Sequence, residues 1–282
     1  MTPVLVFDIE TIPDVAGLRR LHDHPASMSD AEVAEHAFAA RREKTGSDFL
    51  PHHLQRVAAI SCVLRRTQRD GSASFHVGTL GTVEDTEATL IQKFYELISR
   101  YSPQLVSWNG GGFDLPVLHY RGLVNGVSAP RYWEMGEGRE DDSRDFKWNN
   151  YISRYHMRHL DLMDLLAMYQ PRASAPLDDL AKLCGFPGKM GMDGSKVWEA
   201  YQAGQLGAIR AYCETDVVNT YLVYCRFQLM RGGFSAREFD REVAFVQESL
   251  AELPGEQWME YLRAFQVRPL SGEAEDDESE SF

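Results

Sequence analysis

An uninterrupted apolar run, Pro3-Val4-Leu5-Val6-Phe7, lies close to the N-terminus and stops at the polar segment Asp8-Ile9-Glu10. Apolar residues on consecutive positions of a strand require cover on both faces of the sheet. Residues 1–7 are therefore predicted to form a buried strand that is covered on both faces. Where that strand ends, the two carboxylates at positions i and i+2 are expected to point to the same face.

The order of the remaining elements predicts an α/β domain with a mixed sheet flanked by helices. Asp70-Gly71 indicates a hairpin turn between two further strands. We predict strands at 57–66, 72–79, 104–108 and about 159–162, and helices at 84–101, 115–121, 164–169, 177–184, 197–203 and 206–230.

A single domain is expected over residues 1–268, with a helical insertion at about 14–49 that is capped at Ser29 or Asp30. Residues 125–150 lack a sustained period and are predicted to be a long loop, with one short strand around 131–133 as an option. The acidic residues 269–282 cannot bury enough apolar surface to order themselves, and we expect them to be disordered.

The formal charge of −13 argues against a protein that coats nucleic acid nonspecifically, because such binding rests on Lys and Arg. Six of the acidic side chains lie in the last twelve residues, which contain no basic one, so the rest of the chain carries −7. No apolar run approaches the roughly 20 residues that span a bilayer. The N-terminus has no leader pattern, which predicts a cytoplasmic protein. The four cysteines have no metal-site spacing and are expected to be buried thiols.

Three acidic segments carry the candidate chemistry, although each has a simpler interpretation when taken alone. Asp8 and Glu10 repel each other unless a cation joins them, but acidic pairs at strand ends are often only solvated. Asp114 follows a glycine turn and could simply cap the next helix. Tyr212 and Asp216 share one face of a helix, as a core tyrosine beside a surface aspartate would. Their conjunction favours a carboxylate cluster that binds metal.

Together, three motifs resemble the DEDD superfamily of 3′→5′ exonucleases, which have a ribonuclease-H-like fold. They are Phe7-Asp8-Ile9-Glu10-Thr11, Asn109-Gly110-Gly111-Gly112-Phe113-Asp114 and Tyr212-Cys213-Glu214-Thr215-Asp216. The tyrosine in the third motif is typical of the DEDDy branch. With Gly194-Ser195-Lys196-Val197-Trp198, the chain is similar to bacterial stand-alone proteins related to the proofreading domain of B-family DNA polymerases. The resemblance spans about residues 3–230.

The resemblance implies two Mg²⁺ or Mn²⁺ ions held by Asp8, Glu10, Asp114 and Asp216, since such hard cations prefer oxygen ligands. Asp8 would bridge both ions, Glu10 and Asp216 would hold the ion that binds the attacking water, and Asp114 would support the second ion through water. Tyr212 would orient that attacking water. The implied product is a nucleoside 5′-monophosphate released from a 3′ end.

The expected substrate is single-stranded nucleic acid, DNA rather than RNA, with Thr11, Asn109 and Phe113 in contact with it. An exoribonuclease or oligoribonuclease would use the same site, because the sequence does not show what senses a 2′-hydroxyl. Two other classes stay open: a catalytically silent nucleic-acid-binding module, and a proofreading subunit with a polymerase or repair-protein partner. Trp133 and Trp148, among basic residues, could guide a single strand.

Asp161 and Asp164 lie where a predicted strand meets a predicted helix. Side-chain oxygens at such a position satisfy free amide groups of the first helical turn. We expect these two aspartates to cap the helix rather than to bind metal.

Overall fold

A computed structural model describes residues 2–68, 70–138 and 143–271, and contains a mixed five-stranded sheet. In chain order the strands are β1 (Val4–Pro13), β2 (Gln55–Thr67), β3 (Ala73–Thr79), β4 (Gln104–Ser107) and β5 (His159–Asp161). Their order across the sheet is β3-β2-β1-β4-β5. The pairs β1/β2 and β2/β3 are antiparallel, whereas β1/β4 and β4/β5 are parallel. This is the mixed sheet predicted for a ribonuclease-H-like fold.

Ten α-helices surround the sheet within the described residues. They are α1 (Val15–Leu21), α2 (Asp30–Thr45), α3 (Glu87–Tyr101), α4 (Asp114–Asn125), α5 (Leu162–Leu166), α6 (Leu177–Leu183), α7 (Val197–Gln202), α8 (Leu206–Met230), α9 (Ala236–Ala251) and α10 (Glu256–Arg263). Of the helices in this part of the chain, none combines the length and apolar character needed to cross a bilayer.

Strand β1 is covered on both faces, as its apolar sequence predicts. Val6 belongs to a core cluster shared with α6, α8, α9 and α10. Leu5 and Phe7 belong to a second cluster, shared with α3 and α4. Because successive side chains of a strand alternate between faces, Asp8 and Glu10 lie on the same face as Val6 and point toward α8.

Strand β1 is longer than predicted, because it pairs with β2 as far as Pro13 opposite Gln55. Asp8 and Glu10 therefore lie within the strand and not beyond its end. The optional strand at 131–133 was wrong, since these residues form a turn. Helices α9 and α10 were not predicted. The apolar residues of α9 nevertheless recur with helical spacing, at Phe239, Val243, Val246 and Leu250.

The segment predicted as a helical insertion contains α1 and α2. Ser29 caps α2 in a capping box with Glu32, in line with the sequence signal. Leu18 and Val33 form a small core of their own with Leu50 and Leu54.

The predicted acidic tail lies outside the described residues from 272 onward. The first residues of the tail are ordered, contrary to the prediction. Leu270 N and Ser271 N donate hydrogen bonds to the Asp240 carboxylate on α9. Three of the four cysteines are buried as expected, and Cys184 is only half-buried.

Candidate active site

Asp8 and Glu10 form the centre of the acidic site on the face of β1 that α8 covers. A carboxylate oxygen of each residue and the Cys213 sulfur lie within 4.8 Å of one another. Glu10 is buried and Asp8 is half-buried. Within the described residues, this is the only group of three acidic, histidine or cysteine side chains that converges so closely. The two carboxylates therefore lie side by side facing α8, as the i, i+2 spacing predicts.

Asp114 reaches the site from the first turn of α4, on the other side of the sheet. The Ile9 amide, between the two strand carboxylates, donates to Asp114 Oδ1 at 3.0 Å. Only 3% of Asp114 is exposed. A single hydrogen bond thus fixes the third carboxylate against the backbone that carries the first two.

The glycine turn before Asp114 positions that helix. A side chain at Gly110 would overlap the Ser107 side chain, with a Cβ only 2.3 Å from Ser107 Oγ, so this close approach requires glycine. Asp161 at the end of β5 accepts hydrogen bonds from Asn109 N (3.0 Å) and Gly111 N (2.8 Å). Asp161 also accepts from Asp164 N and caps α5, as predicted. It therefore joins β5 to the turn that presents Asp114.

Asp216 and Tyr212 are both buried in α8, one turn apart. The Lys189 ammonium donates to the Tyr212 hydroxyl at 2.6 Å and lies 3.5 Å from Asp216 Oδ2. The other oxygen, Asp216 Oδ1, is buried and has no hydrogen-bond partner among the described residues. An unsatisfied buried carboxylate oxygen is costly, so this atom is available for a ligand that would offset the cost.

Burial raises the pKa values of all four carboxyl groups, and repulsion from the other carboxylates of the cluster adds to this for Asp8 and Glu10. For Asp8 the pKa is raised well above its usual range, first by burial and then by Asp114, Glu10 and Asp216. The Glu10 pKa is raised well above its usual range by burial and by Asp216, with Lys189 opposing. Burial raises the pKa of Asp114 to about 7 and also raises that of Asp216. A cation held among these carboxylates would remove this repulsion.

Lys189 was missed by the sequence analysis, because an isolated lysine in an irregular segment gives no periodic signal. Its position follows from α8, where the Asn219 amide forms two hydrogen bonds with the Gly188 backbone, at 3.1 and 2.8 Å. The Tyr261 hydroxyl of α10 donates to Asn219 Oδ1 at 2.7 Å. The unpredicted helix α10 thus supports the segment that brings Lys189 to the site.

Cys213 contributes a thiol rather than a metal ligand. It donates to Asp8, with sulfur 3.5 Å from the main-chain oxygen and 3.6 Å from Oδ2. Its pKa is raised well above the usual range, first by burial and then by Asp8 and Glu10. A protonated thiol is a poor ligand for a hard dication, so the candidate donor atoms are the carboxylate oxygens.

The three residues expected to contact substrate have separate surroundings and do not form one cluster. Thr11 sits where the register of β1 and β2 shifts, and its hydroxyl donates to Gln55 Oε1 at 3.0 Å. Asn109 has a left-handed backbone at φ 64°. Phe113 contacts the Phe49 ring, with ring centroids 5.4 Å apart. Phe49 is 53% exposed. It was not singled out from the sequence, because it is the last residue of the predicted helical insertion and belongs to none of the three motifs.

The two tryptophans predicted to guide a strand have different surroundings. Trp133 is 50% exposed and contacts the His119 ring, with centroids 4.9 Å apart. Trp148 is 76% exposed and contacts Lys147. Among the described residues, no ring contact joins the two tryptophans.

The donor set fits a hard divalent cation such as Mg²⁺ or Mn²⁺. It consists of oxygen atoms from three separate elements, β1, α4 and α8, and includes the unpartnered Asp216 Oδ1. Hard cations select carboxylate oxygens over nitrogen and sulfur. The residues present are therefore compatible with the cofactors that the sequence motifs imply.

Comparison with known proteins places the chain in a family. No curated protein matches it by sequence. A family described as predicted 3′-5′ exonucleases related to the exonuclease domain of PolB matches residues 47–265. The matched part contains the Asp114 and Asp216 motifs and begins after β1, so it does not include Asp8 and Glu10. Because the match spans most of the sequence, the chain belongs to this family of predicted 3′-5′ exonucleases related to the exonuclease domain of PolB.

Proposed function

We propose that this protein is a DEDDy 3′→5′ exonuclease that hydrolyses single-stranded DNA with two divalent ions, Mg²⁺ or Mn²⁺. The observation that carries the proposal is the convergence of four carboxylates with raised pKa values, one of which has a buried oxygen without a partner. Asp8, Glu10, Asp114 and Asp216 would hold the ions. When bound, the ions would stabilise negative charge on the attacking and leaving oxygens.

The chain's own groups have distinct roles in this proposal. Burial, Asp216, Glu10 and Asp8 raise the pKa of Tyr212, so its hydroxyl keeps its proton and can donate a hydrogen bond that orients a water molecule. Lys189 holds that hydroxyl in place and offers positive charge beside the phosphate position. Thr11, Asn109 and Phe113 would contact the terminal nucleotide, which must be unpaired to enter.

The direct test follows cleavage of 5′-labelled single-stranded DNA and RNA oligonucleotides with Mg²⁺, Mn²⁺ or EDTA. We expect a descending ladder that EDTA erases, with DNA degraded faster than RNA. Asp216→Ala should abolish cleavage and leave the fold intact, while Tyr212→Phe should weaken cleavage less. Faster degradation of RNA would make the enzyme an exoribonuclease with the same site.

A matched control is available on the same helix. Glu214 lies two residues before Asp216, but its carboxylate accepts from Thr79 N and Thr79 Oγ1 at 3.0 and 2.9 Å, away from the other carboxylates. Glu214→Gln should therefore retain cleavage. Full activity in Asp216→Ala would refute the site assignment, and intact oligonucleotides under every metal would favour a silent binding module or a partner-activated subunit.

A further inference from the structure

A cavity of about 620 Å³ opens next to the candidate active site, along the edge strand β5 of the sheet. One part of its wall is the glycine turn that leads to Asp114, through Asn109, Gly111 and Gly112. Asp161, which holds this turn by two hydrogen bonds, also lines the cavity. The cavity and the acidic site therefore share a wall, and the volume lies in the range of ordinary ligand pockets.

Aromatic side chains form much of the remaining wall. Tyr155 and Tyr169 meet edge to face, with ring centroids 5.5 Å apart, and Trp133 and His119 contribute two more rings. The Tyr155 side chain is 74% exposed. Partly exposed aromatic rings beside a nucleic-acid site are the surfaces on which unpaired bases stack.

Polar side chains also line the cavity. His119 Nε2 is buried and has no hydrogen-bond partner among the described residues. Burial lowers the pKa of His119 to about 4, so the ring is neutral and offers one donor and one acceptor. Arg154 pairs with Asp164 and lies over the Tyr169 ring at 4.8 Å. The cavity is thus lined by a neutral imidazole, and Arg154 adds a cation that lies over one of the aromatic rings.

The backbone holds two of the lining residues in costly conformations. Tyr169, with its neighbour Met168, has a left-handed backbone, at φ 61° and 51°. Asn109, which also lines the cavity, is left-handed as well. Positive φ in residues other than glycine is disfavoured and is commonly retained at binding sites. The strained turn places the Tyr169 ring at the cavity.

We propose that this cavity binds an unpaired nucleobase of the substrate strand, on the 5′ side of the scissile phosphate. The inference rests on the proposed exonuclease function, because only the 5′ side of a 3′ cleavage site carries further bases. From Asp114 to His119, five residues of helix α4 advance about 7.5 Å, which is within reach of a base near the strand end. The base would stack on Tyr155 or Tyr169, the two exposed rings that meet at this cavity.

The test measures binding of a single-stranded DNA 12-mer that carries one abasic residue at each of several positions from the 3′ end. Binding is followed by fluorescence anisotropy in EDTA, so that it is independent of cleavage. For wild type we expect one interior position at which loss of the base weakens binding about tenfold, as is usual for a stacked base. Tyr155→Ala should weaken binding of the intact strand by a similar factor and remove the effect of that abasic position.

Two further variants serve as controls. Tyr155→Phe keeps the ring and should behave as wild type. Tyr120→Ala removes another exposed tyrosine ring, 49% exposed and outside this cavity, and should leave the abasic profile unchanged. Because the Tyr155 ring is mostly exposed, its removal leaves no hole in the core.

The outcomes separate this inference from the proposed function. If Tyr155→Ala binds the intact strand as wild type does, or keeps the same abasic penalty, the inference is overturned even when the strand is cleaved. A second outcome is an abasic binding penalty that depends on Tyr155 in a protein that cleaves nothing with Mg²⁺ or Mn²⁺. That outcome supports base binding in the cavity and refutes the exonuclease proposal. Equally tight, Tyr155-dependent binding of free dAMP would overturn the inference, because the cavity would then be a mononucleotide site.

Discussion

Arg121 on α4 is the buried cation of a network that ties the helix of Asp114 to the rest of the domain. Its side chain is 4% exposed. The guanidinium donates to Glu87 Oε1 and Oε2 at 2.8 and 2.6 Å, and to Asp14 Oδ2 at 2.5 Å. In Arg121→Met, the Glu87 and Asp14 carboxylates stay buried without their cation. Removing one partner of a buried pair typically costs about 3–5 kcal/mol. At about 2–4 °C per kcal/mol, the melting temperature should fall by about 10 °C.

Thermal and urea unfolding, followed by circular dichroism, measure this loss. Arg42→Met is the matched control, since Arg42 and Asp48 form an exposed pair, with 53% and 61% of the side chains accessible, which should contribute less than about 1 kcal/mol. Adding Glu87→Gln to Arg121→Met should recover part of the stability by removing one orphaned charge. A loss below about 1 kcal/mol in Arg121→Met, or no recovery in the double variant, would refute the reasoning.

Two other predictions concern pH and metal. Burial lowers the pKa of His159 to about 4, whereas the pKa of this group in the unfolded chain is about 6.5. Between these two pH values the unfolded state binds more protons than the folded state. The free energy of unfolding of wild type therefore falls as the pH drops through this range. The free energy of unfolding of wild type should therefore be about 2.5 kcal/mol lower at pH 4.5 than at pH 7.5 because of this group. In urea unfolding, His159→Gln should lack that part of the pH dependence. Parallel pH profiles of the free energy of unfolding for wild type and His159→Gln would contradict the prediction. Mg²⁺ at 100 times its Kd should raise the free energy of unfolding of wild type and of Glu214→Gln by about 2.7 kcal/mol, measured by thermal unfolding. An equal increase in Asp8→Asn would count against the metal site.

Local sequence patterns were sufficient for several elements. Helix α8 has the predicted bounds, and Ser29 caps α2, because both follow from periodicity and capping within one stretch of chain. The alternation along β1 places Asp8 and Glu10 on one face whatever the exact end of the strand. The sequence of helix α9 also contains a readable apolar period, so this helix has a local signal even though it is absent from the predicted elements.

The sequence by itself determined which residues share a face: Asp8 with Glu10 on a strand, and Tyr212 with Asp216 on a helix. Only the tertiary structure decided how these pairs meet. Asp114 joins them through a hydrogen bond to Ile9 across 105 positions of the chain, and Lys189 arrives through the Asn219 amide. Backbone geometry sets the spacing of neighbours in sequence, whereas contacts between distant segments depend on how whole helices pack against the sheet.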